Sequence, residues 1–193
     1  MPTSTFTTSL IVGLGNPGKE YEKTRHNLGF YVLDYYVQKK GEMWVSDGKC
    51  NGLTSEVKIK DKKVFCLKPQ TFMNLSGESV QKFCSYRKIN TSEVMVVCDD
   101  ISIPFGSFKV STIPGTAGHN GIKNIAKMIG NTFVRYRLGL GNKPSFMPLD
   151  HFVLSRFTDE EQQKLPEIAK VFENNIEVLI DKGVIKGLNF IER

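Results

Sequence analysis

The segment Glu93 to Cys98 (EVMVVC) is nearly continuous apolar sequence, and it runs straight into two adjacent carboxylates, Asp99 and Asp100. A strand with one wet face alternates apolar and polar residues, so an unbroken apolar strand needs cover on both faces, as in a sheet sandwiched by helices. The rest of the chain supplies the parts. Ser9 to Leu14 (SLIVGL) is a second compact apolar run, closed by a glycine-rich loop, and reads as another buried strand. Asn27 to Lys40 places Leu28, Tyr31, Val32, Tyr35 and Tyr36 at helical spacing, with Gly41 as the stop. Leu53 to Lys60 and Val64 to Leu67 flank the charged turn Asp61-Lys62-Lys63 and predict a hairpin. Further along come a helix over Ser76 to Lys88, a short strand over Ser107 to Ser111, a helix from His119 to Met128 and a strand over Val134 to Leu140. Thr158-Asp-Glu-Glu161 is a capping box opening a long helix towards Gly183, which Pro166 is expected to bend or divide. This order predicts an α/β fold, a three-layer sandwich with helices on both faces of one mixed, twisted sheet.

At 193 residues, 40% of them hydrophobic, the chain can bury one substantial core, so residues 9–193 read as a single domain. Residues 1–8 are Ser/Thr-rich without a basic stretch and read as a disordered leader. The apolar run Leu10 to Leu14 is too short for a signal core or a membrane span, and a cytoplasmic protein follows as the expectation. A monomer is the default. Cys50, Cys66, Cys84 and Cys98 form no C-x-x-C pair, so reduced core thiols are expected rather than zinc or a redox dithiol. Residues 1–150 hold 20 Lys and Arg against 12 Asp and Glu, whereas residues 151–193 hold 6 against 8. A basic body suits a phosphate-rich partner, because Lys and Arg displace the counterions condensed on nucleic acid. A soluble protein of high pI fits that charge equally well.

Gly13-Leu-Gly15-Asn-Pro-Gly18 fits the glycine spacing of a dinucleotide-binding turn. Pro17 removes one N–H, however, the helical pattern waits until about Asn27, and the acidic residue expected after a second strand is missing. A glycine-supported bend that presents Asn16 fits better. His26 stands where this loop feeds the first helix. A lone loop histidine is commonly a surface residue, but open α/β sheets hold their ligands at the carboxyl ends of strands, where Asn16, Asp99 and Asp100 should also collect. A general base needs a partner that fixes its tautomer, and Asp99, at the end of a buried strand, is the natural candidate. A cap of a turn is the competing role for Asp99. His119-Asn120-Gly121 opens a helix whose free N–H groups, with the Asn120 amide, suit a phosphate or a developing oxyanion; Asn120 as a plain helix cap stands beside that. Phe72-Met73-Asn74 combines an aromatic with an amide, which suits stacking a base and bonding its sugar, or else core plus cap. There is no G-x-S-x-G, no cysteine beside a candidate base and no H-E-x-x-H, so a metal-free water activated by His is the hydrolytic chemistry that remains.

Leu-Ile-Val-Gly-Leu-Gly-Asn-Pro-Gly (10–18), Tyr21 with Thr24-Arg-His-Asn27, Lys68-Pro-Gln-Thr-Phe-Met-Asn-Leu-Ser-Gly77 and Gly118-His-Asn-Gly-Ile-Lys123 together resemble the signatures of bacterial-type peptidyl-tRNA hydrolases. The blocks occur in that family's order and span nearly the whole chain. The resemblance implies hydrolysis of the ester between a peptide and the 3′-terminal ribose of its tRNA, without a cofactor. It implies that His26 accepts the proton, that Asp99 supports it, and that Asn16 tells a blocked peptidyl amide from a free amine. Tyr21, Phe72, Asn74 and Asn120 resemble the residues that bind the tRNA acceptor end and its terminal adenosine, with Met73 and His119 lining the same groove. Lys109, Lys123 and Arg137 are candidates for phosphate contacts. The chain departs from the family's pattern in the glycine-poorer Ile113-Pro-Gly-Thr-Ala-Gly118 and in Ser111, where a basic residue is frequent. Those changes bear on acceptor-stem affinity, not on chemistry. A nucleotide-binding oxidoreductase and a non-catalytic RNA-binding module are the competing readings.

Overall fold

The computed structural model describes residues 8–191. Strand β5 (Val94–Asp100) is buried along its whole length, and it lies in parallel between β1 (Leu10–Gly13) and β7 (Val134–Gly139). On the far side of β1, β4 (Lys62–Pro69) pairs in parallel, followed antiparallel by β3 (Gly52–Ile59) and β2 (Val45–Asp47); β6 (Phe108–Ser111) closes the other edge against β7. The sheet is therefore mixed, as the order of strands and helices predicts.

Pleating sends successive side chains of a strand to opposite faces, so each interior strand feeds two cores. Met95 and Val97 join the core beneath α1 (Leu28–Lys39) and α5 (Asp159–Lys182), while Val94, Val96 and Cys98 join the one beneath α2 (Ser76–Arg87) and α3 (Asn120–Ile129). The same parity aims Asp99 towards the α1 face, and Asp100 towards the face it shares with Arg137. Two adjacent acids thus leave the sheet in different directions.

Several boundaries differ from the sequence expectation. The segment before α1 forms a buried 3₁₀ turn, Arg25–Asn27, and the helix proper starts at Leu28. The hairpin turns at Lys60-Asp61, with Ile59 opposite Lys62, rather than at Asp61-Lys62-Lys63. Pro166 does not divide α5, which runs unbroken over 24 residues. One lost hydrogen bond at a proline costs about 3 kcal/mol, whereas Leu165, Ile168, Phe172, Ile176, Leu179 and Ile180 are buried on that helix, at roughly 2 kcal/mol each. Burial wins. Two short helices, α4 (Leu149–Leu154) and α6 (Val184–Gly187), and the edge strand β2 carry no cap or alternation strong enough to have been anticipated. The expected leader lies outside the described residues except for Thr8, which is buried. All four cysteines are buried and free. No helix among the described residues is long and apolar enough to cross a membrane.

The first turn of α1 lies directly on the sheet. A Cβ on Gly29 would stand 2.5 Å from the Val97 carbonyl oxygen and 2.7 Å from the backbone of Leu14, atoms that cannot yield without parting β1 from β5. Gly29→Ala should therefore destabilise the protein by about 1–3 kcal/mol, read as a lower urea midpoint at unchanged slope.

Candidate active site

His26, in the 3₁₀ turn before α1, faces the end of β5, and its Nδ1 lies 2.9 and 3.0 Å from the two carboxylate oxygens of Asp99. A nitrogen placed between two carboxylate oxygens carries its proton towards them, which leaves Nε2 as the ring's lone-pair nitrogen. His119 approaches Asp99 from the opposite side. Its Nε2 is 3.1 Å from Asp99 Oδ1, while its Nδ1 accepts hydrogen bonds from the backbone N–H groups of Gly121 and Ile122. The cap of α3 is thus His119, not Asn120. Burial, the largest influence on His26, disfavours the imidazolium, but the charge and hydrogen bond of Asp99 outweigh it and raise the pKa above the 6.5 of an unperturbed histidine. Burial likewise works against the Asp99 charge, yet the imidazoles beside it hold its carboxyl well below the usual carboxylate range.

Asn16 is fixed from three directions. Its backbone N–H donates to Asn27 Oδ1, its carbonyl accepts from Asn27 Nδ2, and its side-chain Oδ1 accepts from the Met73 N–H at 2.7 Å. With the oxygen committed, the Nδ2 end is the part left to face a ligand. This is the bend expected to present Asn16, and no helix starts within the glycine motif to receive a pyrophosphate. The dinucleotide reading fails on that geometry.

Asn16, His26, Phe72, Met73, Asn74, Asp99, His119 and Asn120 all line one cavity of about 680 Å³. Tyr21 lies outside its lining but meets Phe72 edge-on, with ring centroids 6.4 Å apart. Phe72 is 54% exposed, whereas the neighbouring Met73 is buried. Of the three basic candidates, Lys123 lines the cavity, Arg137 is tied to Asp100 at 2.9 Å, and Lys109 is exposed on β6.

The opposite wall went unnoticed in the sequence. Leu149, Val153 and Leu154 of α4, with Ile101, give the cavity an apolar side. The i, i+4 spacing of Leu149 and Val153 was the available signal, too brief over six residues to stand out. Arg25 holds this wall to the His26 turn. Its guanidinium makes a two-pronged ion pair with Glu161 at 2.8 and 2.6 Å, lies over the rings of Phe152 and Phe157, and donates from Nε to Ser155. Among the described residues, His26, Asp99 and His119 also form a group whose ligating atoms lie within 4.8 Å of one another. Both imidazoles direct an N–H at Asp99, so an ion placed among them would have to displace both protons.

The profile of the family described as peptidyl-tRNA hydrolase matches residues 10–193. The chain belongs to this family. A peptidyl-tRNA hydrolase from Clostridium perfringens (strain SM101 / Type A) is 40% identical over 181 residues, covering 93% of this chain and 95% of its own. One from Bdellovibrio bacteriovorus is 40% identical over 180 residues, covering 92% and 96%. Among solved structures, a peptidyl-tRNA hydrolase in complex with N-propanol matches with a TM-score of 0.91 at 32% identity, over 98% of this chain and 96% of that one. The peptidyl-tRNA hydrolase of Acinetobacter baumannii matches with a TM-score of 0.89 at 32% identity, over 97% and 95%. The α/β sandwich is thus the architecture of solved peptidyl-tRNA hydrolases.

A base acting through Nε2 works only when that nitrogen is unprotonated, so activity should fall as pH drops through the raised pKa of His26. Asp99→Asn removes both influences that raise it and leaves burial, which lowers it. The acid limb of kcat/KM should move to lower pH while its plateau drops. A limb that moved upward would contradict the assignment.

Proposed function

We propose that this chain hydrolyses the ester between the peptide C-terminus and the 3′-terminal ribose of tRNA in peptidyl-tRNA, returning tRNA from aborted translation. In this reading His26 activates the water, and no metal ion takes part. Membership of the peptidyl-tRNA hydrolase family supports the reaction. The observation that carries the mechanism is the His26–Asp99 pair, set with one ring nitrogen bonded and the other free at a cavity lined by side-chain amides.

His26 Nε2 takes a proton from water as the oxygen attacks the ester carbonyl, and Asp99 stabilises the imidazolium that forms. Amide N–H groups of Asn74 or Asn120 meet the oxyanion. When the intermediate collapses, the bond to the ribose 3′-oxygen breaks and the Nε2 proton passes to that oxygen. The products are a peptide carboxylic acid, which gives its remaining proton to solvent to become the carboxylate, and a tRNA with its 3′-hydroxyl restored. The terminal adenosine stacks on the exposed Phe72 ring, edged by Tyr21, while Met73 and His119 close the groove around it. Lys123, at the same cavity, suits a phosphate of the acceptor end.

Asn16 supplies the selection. With Oδ1 bound to Met73, it offers the substrate a donor, which the carbonyl of a blocked amide accepts. The ammonium of a free aminoacyl-tRNA has only N–H groups to present there, and two donors repel.

The test compares tRNA release from N-acetylaminoacyl-tRNA and aminoacyl-tRNA. The wild type should cleave the blocked substrate and spare the free one, and His26→Ala should slow cleavage by about 10³-fold with tRNA binding retained. Equal cleavage of both substrates removes the role given to Asn16; an intact blocked substrate removes the hydrolase reading. Activity should also survive exhaustive chelation, and a loss restored by a divalent cation would overturn the metal-free step.

A further inference from the structure

His119 lines the cavity, and its ring is also committed on both sides. Nδ1 caps α3 by accepting two backbone N–H groups, at 3.1 and 3.3 Å, which fixes the remaining proton on Nε2 and aims it at Asp99 Oδ1. Only 7% of its side chain is accessible, so water competes poorly for that bond. Asn, Ser and Asp are the ordinary helix caps; none of them can cap a helix with one atom and reach across a ring's width to a carboxylate with another.

The oxygen it reaches is already in use. Oδ1 of Asp99 also receives His26 Nδ1, and the two imidazoles lie with their centroids 4.8 Å apart. We infer that His119 is a positioning residue that limits the proton affinity of His26, by donating to the same carboxylate oxygen and so sharing the charge that would otherwise draw a proton onto the base. The inference rests on the reading of His26 as the base. A carboxylate bonded to one imidazole alone would hold that imidazole protonated further into the neutral range, where a base is idle. The donated N–H also turns its positive end towards the place where imidazolium forms. Its burial makes that dipole felt.

The other charges facing the pair stay in place when His119 changes. Asp100 is bonded to Arg137 and Ser102, Arg25 is bonded to Glu161, and Lys123 and Asp150 stand at the cavity wall. His119→Asn separates the two tasks of the ring, since asparagine keeps the cap but is too short to reach Asp99. His119→Gln does the reverse, placing an amide N–H near the position of Nε2.

The midpoint of His26 is read by NMR titration of its ring Cε1–H in the free protein; the chain has three histidines, and in a His151→Gln background the His119 variants show His26 alone, which assigns the two signals of the parent. His119→Asn should raise the midpoint by about one pH unit, the worth of one hydrogen bond to a charged group. The acid limb of kcat/KM on N-acetylaminoacyl-tRNA should move up with it, and His119→Gln should restore the wild-type limb. An unchanged or lowered midpoint in His119→Asn overturns the inference and leaves His119 a cap. Should that variant not fold, the wild type decides through the ¹⁵N shifts of His119, where a proton on Nδ1 rather than Nε2 overturns it. The midpoint is measured without turnover, so failure of the hydrolase reading would show as intact blocked substrate with the wild type, separately from this result.

Discussion

Asp99 places a negative charge at the buried end of an interior strand, where an unpaired carboxylate would cost several kcal/mol or take up a proton. Much of the site's architecture follows from meeting that charge on the spot. Pleat parity turns the side chain towards α1, the 3₁₀ turn brings His26 to one side, and the start of α3 brings His119 to the other. Each imidazole is held from behind in turn. His26 sits between Arg25, pinned to Glu161, and Asn27, clamped to Asn16; His119 is pinned by the first N–H groups of its helix. The result is a rigid floor for a cavity whose other groups, Phe72, Asn74 and Asn120, stand exposed and free to meet a ligand.

The layers, the interior strands and the long capped helix were legible because hydrophobic periodicity and capping are local signals. The meeting of His26 with Asp99 was legible too, through the rule that α/β sheets gather their ligands at the carboxyl ends of strands. What stayed hidden depends on distance along the chain. Nothing near Arg25 announces Glu161, 136 residues away, and nothing near Asn16 announces the Met73 N–H, 57 residues away. The capping role of His119 was hidden for a different reason. Its neighbour Asn120 has the commoner cap side chain, and only the geometry of the turn, with Ala117 and Gly118 at positive φ, gives the cap to the imidazole instead.

Charge counting was informative in sum and misleading in detail. The excess of Lys and Arg over residues 1–150 invites a picture of a basic face. Yet Arg25, Lys68 and Arg137 have acidic partners at 2.6 to 2.9 Å, while Arg135 is only 2% exposed, so none of these four offers a free surface cation. Attraction for a polyanion falls to the cations that remain, the exposed Arg156 and the unpaired lysines among them, with Lys123 at the cavity.

His26 and Asp99 lie 73 residues apart and are joined through parallel strands, and the second imidazole, His119, comes later still. Parallel pairing cannot form from a local turn; it waits for the intervening hairpin and α2 to be made and placed. A chain emerging in order from its N-terminus therefore carries His26 for a long interval as an ordinary, unsupported histidine. The His26–Asp99 contact can exist only once β5 stands beside β1, so that contact reports the sheet's centre.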